Sequence, residues 1–249
     1  MEMHKASMNQ DFSQNNMDEK KVAMIYGMQR TGTNYTEQLI IRNFDNVKFY
    51  NRANARCLPI HKHFRLYDEK IFLPDSKFYN SFYYKDFNSF KNHVEQLIGL
   101  DINYFIVIIK NPFSWYLSYL KHAKKSGYSF HRKSLNSHFI IDYNLFYRKW
   151  LSFQQQSPEK VIILKYEDTL NDLSLFLDGI ASRLNMKRNS DIPDNPEKVR
   201  INRRFTKKKL AYYKNQSFMG LIKDKDKKTI INLLDAGILD IYNIKNDFF

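Results

Sequence analysis

KVAMIYGMQRTGTNYTEQLIIRN, residues 21–43, decides the fold. Its first part, Lys21–Tyr26, is a short apolar run closed by Gly27, the pattern of a buried strand. The tight loop Gly27-Met28-Gln29-Arg30-Thr31-Gly32 follows. Thr33 to about Asn43 then reads as a helix with Leu39 and Ile40 facing inward. A strand, a glycine-bearing loop and a helix in that order aim the loop amides and a helix N-terminus at one point. That arrangement suits an anion.

Working outward, Tyr104–Lys110 (YFIVIIK) is the strongest strand signal in the chain. It is apolar almost throughout, as expected of a parallel strand covered on both faces. Asn111-Pro112 supplies an N-cap and a first-turn proline, and the helix continues through Trp115, Ser118 and Tyr119. Val161–Tyr166 (VIILKY) is another buried strand, and Asn46–Tyr50 reads as a further one. Three apolar stripes have helical spacing: Phe87, Phe90, Val94 and Leu97; Phe139, Tyr143, Phe146, Tyr147 and Trp150; and Leu170, Leu173, Phe176, Ile180 and Leu184. The last helix is expected over Asp226–Ala236, with Gly237 as its stop. Pro59–Arg65 (PIHKHFR) reads as extended or loop, and residues 124–138 and 187–209 as basic loops. Residues 1–20 read as a polar tail, and 21–249 as one α/β domain, a three-layer sandwich around a mostly parallel sheet.

Composition narrows the setting. The chain has 249 residues, 43% hydrophobic and 16% aromatic, enough for a core and too apolar for wholesale disorder. Lysine and arginine number 40 against 26 acidic residues, a net charge of +14. That balance favours a polyanion: nucleic acid, an acidic membrane surface, or a phosphorylated or sulfated small molecule. A/T-rich coding also inflates lysine together with the 17 Tyr and 20 Phe, so charge alone chooses no partner. Cys57 is the single cysteine, which excludes an internal disulfide, and no Cys/His spacing suits zinc. With no apolar leader near the N-terminus and no run long enough to span a membrane, the expected location is cytoplasmic, with peripheral membrane contact left open.

Gly27-x-x-x-x-Gly32 has Walker A glycine spacing, but Thr33 and Asn34 stand where that motif needs lysine and a hydroxyl for magnesium. The cation instead precedes the glycine, at Arg30. The P-loop-like turn therefore suits a phosphate-like group held without metal. Arg30-Thr31-Gly32-Thr33-Asn34-Tyr35 resembles the 5′-phosphosulfate loop of the sulfotransferases that use 3′-phosphoadenosine 5′-phosphosulfate (PAPS). Lys110-Asn111-Pro112 with Ser118 is similar to that family's 3′-phosphate signature, a basic residue followed eight positions later by serine. The family usually has arginine at the first position; lysine keeps the charge and loses the bidentate fork. Lys110 is expected to point past the sheet edge, where Ser118 joins it. Tyr166-Glu167-Asp168 resembles the Tyr-Glu-Asp stretch in which the tyrosine lies against adenine, and Tyr35 matches a second aromatic at the base. Each match sits at the C-terminal end of an expected strand, where open parallel sheets bind ligands. The glycine-rich basic segment that closes the family's cofactor site is missing; Arg203-Arg204-Phe205 with Lys207–Lys209 is the nearest substitute.

The resemblance implies sulfuryl transfer from PAPS to a hydroxyl or amine, leaving adenosine 3′,5′-bisphosphate, with no metal. It implies that Arg30 faces the leaving oxygen and that Thr31, Gly32, Thr33 and Asn34 hold the 5′ end. A base is also needed. Of seven histidines, those of His61-Lys62-His63 fall where the family places one, after the loop and before the central strand. His63 is the first choice, with Lys62 assisting on the transferring group, His61 as fallback and Glu37 a weaker option. An ordinary imidazole titrates near 6.5, suited to proton removal at neutral pH. The acceptor is left open among a surface-glycan precursor, a lipid and a small metabolite, its pocket expected from residues 51–85 and 124–138. Two other classes stay open: a P-loop kinase, against which Thr33 and Asn34 speak, and a basic nucleic-acid-binding module, for which no RNA-recognition, KH, zinc-finger or helix-turn-helix signature is found.

Overall fold

The computed structural model describes residues 20–66, 84–127, 134–196 and 207–244. In chain order they form β1 (Lys21–Tyr26), α1 (Thr33–Asn43), β2 (Val47–Phe49), α2 (Phe87–Ile98), β3 (Tyr104–Ile109), α3 (Pro112–Lys125), α4 (Ser137–Gln156), β4 (Val161–Lys165), α5 (Asp168–Asn171), α6 (Leu173–Leu184), α7 (Lys207–Lys214), α8 (Asp224–Leu233) and α9 (Ala236–Ile241). The strands make one sheet in the order β2-β1-β3-β4, every pair parallel. Tyr26 pairs with Val107 and Ile109 with Lys165, so β1, β3 and β4 end side by side. The chain leaves β1 toward β2 and returns to place β3 on the other flank. The crevice between β1 and β3 is therefore the switch point at which such sheets bind ligands.

Alternation along the strands divides the core in two. Met24, Tyr26, Phe105, Val107 and Ile109 pack with α2, α3, α4, α8 and α9. Ala23, Ile25, Ile106, Ile108, Ile162 and Leu164 pack with α1, α5 and α6. These are the three layers expected from the apolar runs. Among the described residues no helix is long and apolar enough to cross a membrane.

Three expectations change. The stripe from Leu170 to Leu184 is two helices, because Asp172 is extended at φ −142° and its carboxylate accepts from Leu175 N to start α6. Gly237 does not stop a helix. The chain ends α8 at Leu233, and Asp235 caps α9 by accepting from Gly237 N at 3.0 Å. The basic loops are shorter than expected, because α3 runs on to Lys125, α4 starts at Ser137 and α7 at Lys207.

Candidate functional site

The loop after β1 is closed tightly upon itself. A Cβ on Gly27 would lie 2.6 Å from Thr31 Oγ1 and 2.8 Å from the Ile108 carbonyl of β3. Gly32 takes φ +98°, and a Cβ there would meet the Tyr166 ring at 2.3 Å. Arg30 also lies in the left-handed region, at φ +77°, a strain of about 1–2 kcal/mol for a residue with a Cβ. Its side chain is exposed. Thr31 is fully buried, and its hydroxyl donates to Met28 O at 2.8 Å, so this side chain shapes the turn. Three distant residues hold the loop from below: Trp115 Nε1 donates to Gln29 O, Tyr147 Oη accepts from Met28 N, and Arg65 donates to Gln29 Oε1. Among the described residues no side chain caps α1; Tyr35 N turns back to Gly32 O, which leaves the amides of Thr33 and Asn34 for another acceptor.

The segment His61-Lys62-His63 is docked directly on this loop. Of the extended and loop forms expected it takes the loop form, a turn in which Phe64 N donates to His61 O. Gly27 N donates to Lys62 O at 3.0 Å, and His63 Nδ1 donates to Gly27 O at 2.6 Å. A carbonyl only accepts, so Nδ1 carries the proton and the neutral ring keeps its lone pair on Nε2. Burial lowers the His63 pKa to about 3, against the pull of the Gly27 hydrogen bond, with His61, Arg65 and Lys62 adding to the depression. Burial likewise brings His61 down to about 4. The two rings are 5.5 Å apart and edge to face, on one side of the turn as expected. The Lys62 ammonium donates to Asn34 Oδ1 and to Glu37 Oε2, which joins the turn to the first helix.

Ser118 also reaches the loop. Its Oγ accepts from Arg30 Nε at 3.3 Å, across 88 residues of sequence. His122, one turn further along α3, is close enough for the Arg30 charge to hold its pKa down, after burial has done most of it. The second signature thus meets the first. Lys110, by contrast, does not point past the sheet edge. It is 2% exposed, and its Nζ donates to Tyr213 Oη at 2.9 Å beneath the rings of Tyr166 and Tyr213. The apolar flanks of β3 and the aromatic rings turn the stem inward, and the nearby Glu167 carboxylate is an opposite charge for it. Tyr166 is 5% exposed and packed on Gly32, edge-on to Tyr35 and Tyr213. Tyr35 is buried too, its hydroxyl donating to Asn195 at 3.1 Å. In this structure neither ring offers an open face to a base; together they form the floor beneath Gly32.

Several residues that matter here carry no sequence signal. Arg65 is 1% exposed and ties three elements together. Its guanidinium donates to both Asp142 oxygens from α4 at 3.0 and 3.1 Å, to Gln29 Oε1 at 2.7 Å and to His63 O at 3.1 Å. Glu167 is half-buried, accepts from Asn111 N and Tyr242 Oη, and has its pKa raised by desolvation. A cavity of about 780 Å³ opens at the same sheet edge, with Asn111, Glu167, Tyr213 and Tyr242 in its wall. Of the expected acceptor segments, residues 67–83 and 128–133 lie outside the described residues, as do His4, His131, Arg203, Arg204 and Phe205.

The sequence matches no protein-family model and no curated protein. Solved structures do match. Mouse sulfotransferase SULT7A1 complexed with PAP superposes with a TM-score of 0.54 at 11% identity, over 96% of this chain and 95% of that one. A sulfotransferase from Alicyclobacillus acidocaldarius matches at TM-score 0.42 and 11% identity, over 88% of this chain and 98% of its own. Retinol dehydratase in complex with androsterone and inactive cofactor PAP matches at 0.39 and 15%, over 94% and 84%. With its four parallel strands between helical layers, and a superposition on the mouse enzyme that covers nearly both chains, this chain has the sulfotransferase fold.

Proposed function

We propose that the chain transfers a sulfuryl group from PAPS to a hydroxyl or amine. One observation carries the reading. At the β1–β3 switch point, the Gly27–Gly32 loop meets both Ser118, which accepts from Arg30, and His63, which donates to Gly27. The cradle fits an oxyanion. Gly27 and Gly32 leave no room for a Cβ, and among the described residues no side chain caps α1. The whole-chain likeness to a sulfotransferase complexed with PAP supports the same reading.

PAPS, when bound, supplies the sulfuryl group. The loop amides, Gly32, Thr33 and Asn34 would hold its 5′ end, with Thr31 keeping the turn in shape. Tyr35 and Tyr166 would support the base side of the site, and Lys110 and Ser118 the 3′ side. Arg30 and Lys62 place positive charge where oxygen gains negative charge, which is worth most when present before the reaction. His63 accepts the acceptor's proton at Nε2, because Nδ1 is committed to Gly27. A ring this hard to protonate stays neutral through the physiological range, and negative charge brought beside it raises its basicity. The acceptor proposed is a surface-glycan precursor, a lipid or a small metabolite.

Calorimetry with adenosine 3′,5′-bisphosphate and, separately, ATP·Mg tests the donor. The bisphosphate is expected to bind more tightly; tighter ATP·Mg, or no binding of the bisphosphate, refutes the reading. Incubation with labelled PAPS and a panel of glycan, lipid and phenolic acceptors tests transfer. His63→Ala is expected to bind the bisphosphate and lose turnover; normal turnover in that variant moves the base elsewhere.

A further inference from the structure

The second signature assigns the 3′-phosphate to Lys110, yet Lys110 is 2% exposed and cannot serve an incoming anion from the surface on its own. The residue that covers it is Tyr213 of α7. The Tyr213 ring lies with its centroid 4.9 Å from Lys110 Nζ, and its hydroxyl oxygen accepts from that ammonium at 2.9 Å. Tyr213 is itself only half buried, and it lines the 780 Å³ cavity at the sheet edge. It stands edge-on to Tyr166, 5.6 Å between centroids, and Tyr166 in turn packs on Gly32 of the phosphate loop. Arg30 is near enough to act on Tyr213 electrostatically. The phenol therefore stands between the buried lysine and that cavity, within electrostatic reach of Arg30.

Its chemistry suits an anion. The oxygen accepts from an ammonium, which polarises the hydroxyl, and the hydroxyl's own proton has no acceptor among the described residues. Burial and the Glu167 carboxylate push the phenol's ionisation upward, so it stays a donor at neutral pH. We propose that the Tyr213 hydroxyl contacts the 3′-phosphate of the nucleotide and that Lys110 acts through it as a positioning and polarising charge. The inference rests on the PAPS reading and makes Tyr213 the residue that selects nucleotides phosphorylated at the 3′ position. It also supplies, from a single α7 side chain, the C-terminal closure for which the sequence has no glycine-rich basic segment.

The test is calorimetry on the full chain with adenosine 3′,5′-bisphosphate and with AMP, which lacks the 3′-phosphate. Tyr213→Phe keeps the ring over Lys110 and removes only the donor. The preference for the bisphosphate over AMP is expected to fall about tenfold to a hundredfold, the size of a hydrogen bond to a charged group. Lys110→Met is expected to lower the same preference, and the double variant to fall little further, because the two act in series. A Tyr213→Phe preference equal to wild type beside a reduced one in Lys110→Met overturns the proposal, since the lysine then makes the contact itself. A stronger bisphosphate affinity in Tyr213→Phe also overturns it, since the tyrosine then only covers the site. If wild type binds the bisphosphate and Tyr213→Phe is indifferent, only the tyrosine assignment fails; if wild type binds no bisphosphate, the donor reading fails with it.

Discussion

Arg65 is where this site is most exposed to a single substitution. Its guanidinium is buried against a buried carboxylate, with Nη2 3.0 Å from Asp142 Oδ2, and it also satisfies Gln29 Oε1 and the His63 carbonyl. Arg65→Met keeps the stem's packing and removes every donor. The Asp142 charge is then buried without its partner, which costs about 3–5 kcal/mol. Arg65→Met with Asp142→Leu removes both charges and, of the bonds described above, leaves the Gln29 and His63 oxygens short of a donor. Each such orphan costs about 1–3 kcal/mol at most, and both belong to segments able to relax, so the double variant is expected to recover roughly 2 kcal/mol. Urea unfolding followed by the fluorescence of the buried Trp115 and Trp150 measures both numbers. Arg65→Lys is expected between wild type and Arg65→Met, because a point charge replaces a fork. An Arg65→Met loss below about 1 kcal/mol, or a double variant no more stable than the two single effects added together, refutes the claim that this pair clamps the loop to α4.

Gly32→Ala combines left-handed backbone at φ +98° with a 2.3 Å approach to Tyr166, and is expected to cost about 2–5 kcal/mol in thermal unfolding. A loss below 1 kcal/mol contradicts the packing of Tyr166 on the loop. The His63 ring, followed by NMR, is expected to stay neutral with its lone pair on Nε2 from pH 8 down to about 4; a midpoint near 6.5 contradicts its burial. The sign of the linked stability follows. Below pH 6.5 the unfolded chain takes up a proton that the folded ring refuses until about 3, so stability falls with pH across that window, and His63→Gln flattens the slope. Ser118→Ala removes the Arg30 acceptor and is expected to lower bisphosphate affinity about tenfold while changing unfolding free energy by less than about 1 kcal/mol. Unchanged affinity removes Ser118 from the site.

What the sequence disclosed and what it hid differ in kind. YFIVII at 104–109 is readable because a strand buried on both faces needs every side chain apolar, and Asn111-Pro112 because a helix start has its own residue chemistry. The loop was legible for the same reason: where backbone crowds backbone, only glycine fits, and Gly27 and Gly32 mark those points. Asp172 was harder, since its capping bond to Leu175 N interrupts a stripe whose apolar spacing continues across the break. Gly237 misled because glycine after a helix usually stops one, while Asp235 here restarts the chain within two residues. The side-chain partners were invisible altogether. Arg65 and Asp142 are 77 residues apart, and Lys110 and Tyr213 are 103, and no local pattern announces a pair that only the fold creates. A motif match therefore locates a strand end, whereas the direction its side chain takes depends on neighbours drawn from elsewhere in the chain. Lys110 shows the consequence. Its place after β3 fits the signature, but Glu167 and the rings of Tyr166, just after β4, and Tyr213 of α7 draw the ammonium inward, onto the Tyr213 hydroxyl and away from the sheet edge that the motif alone suggests.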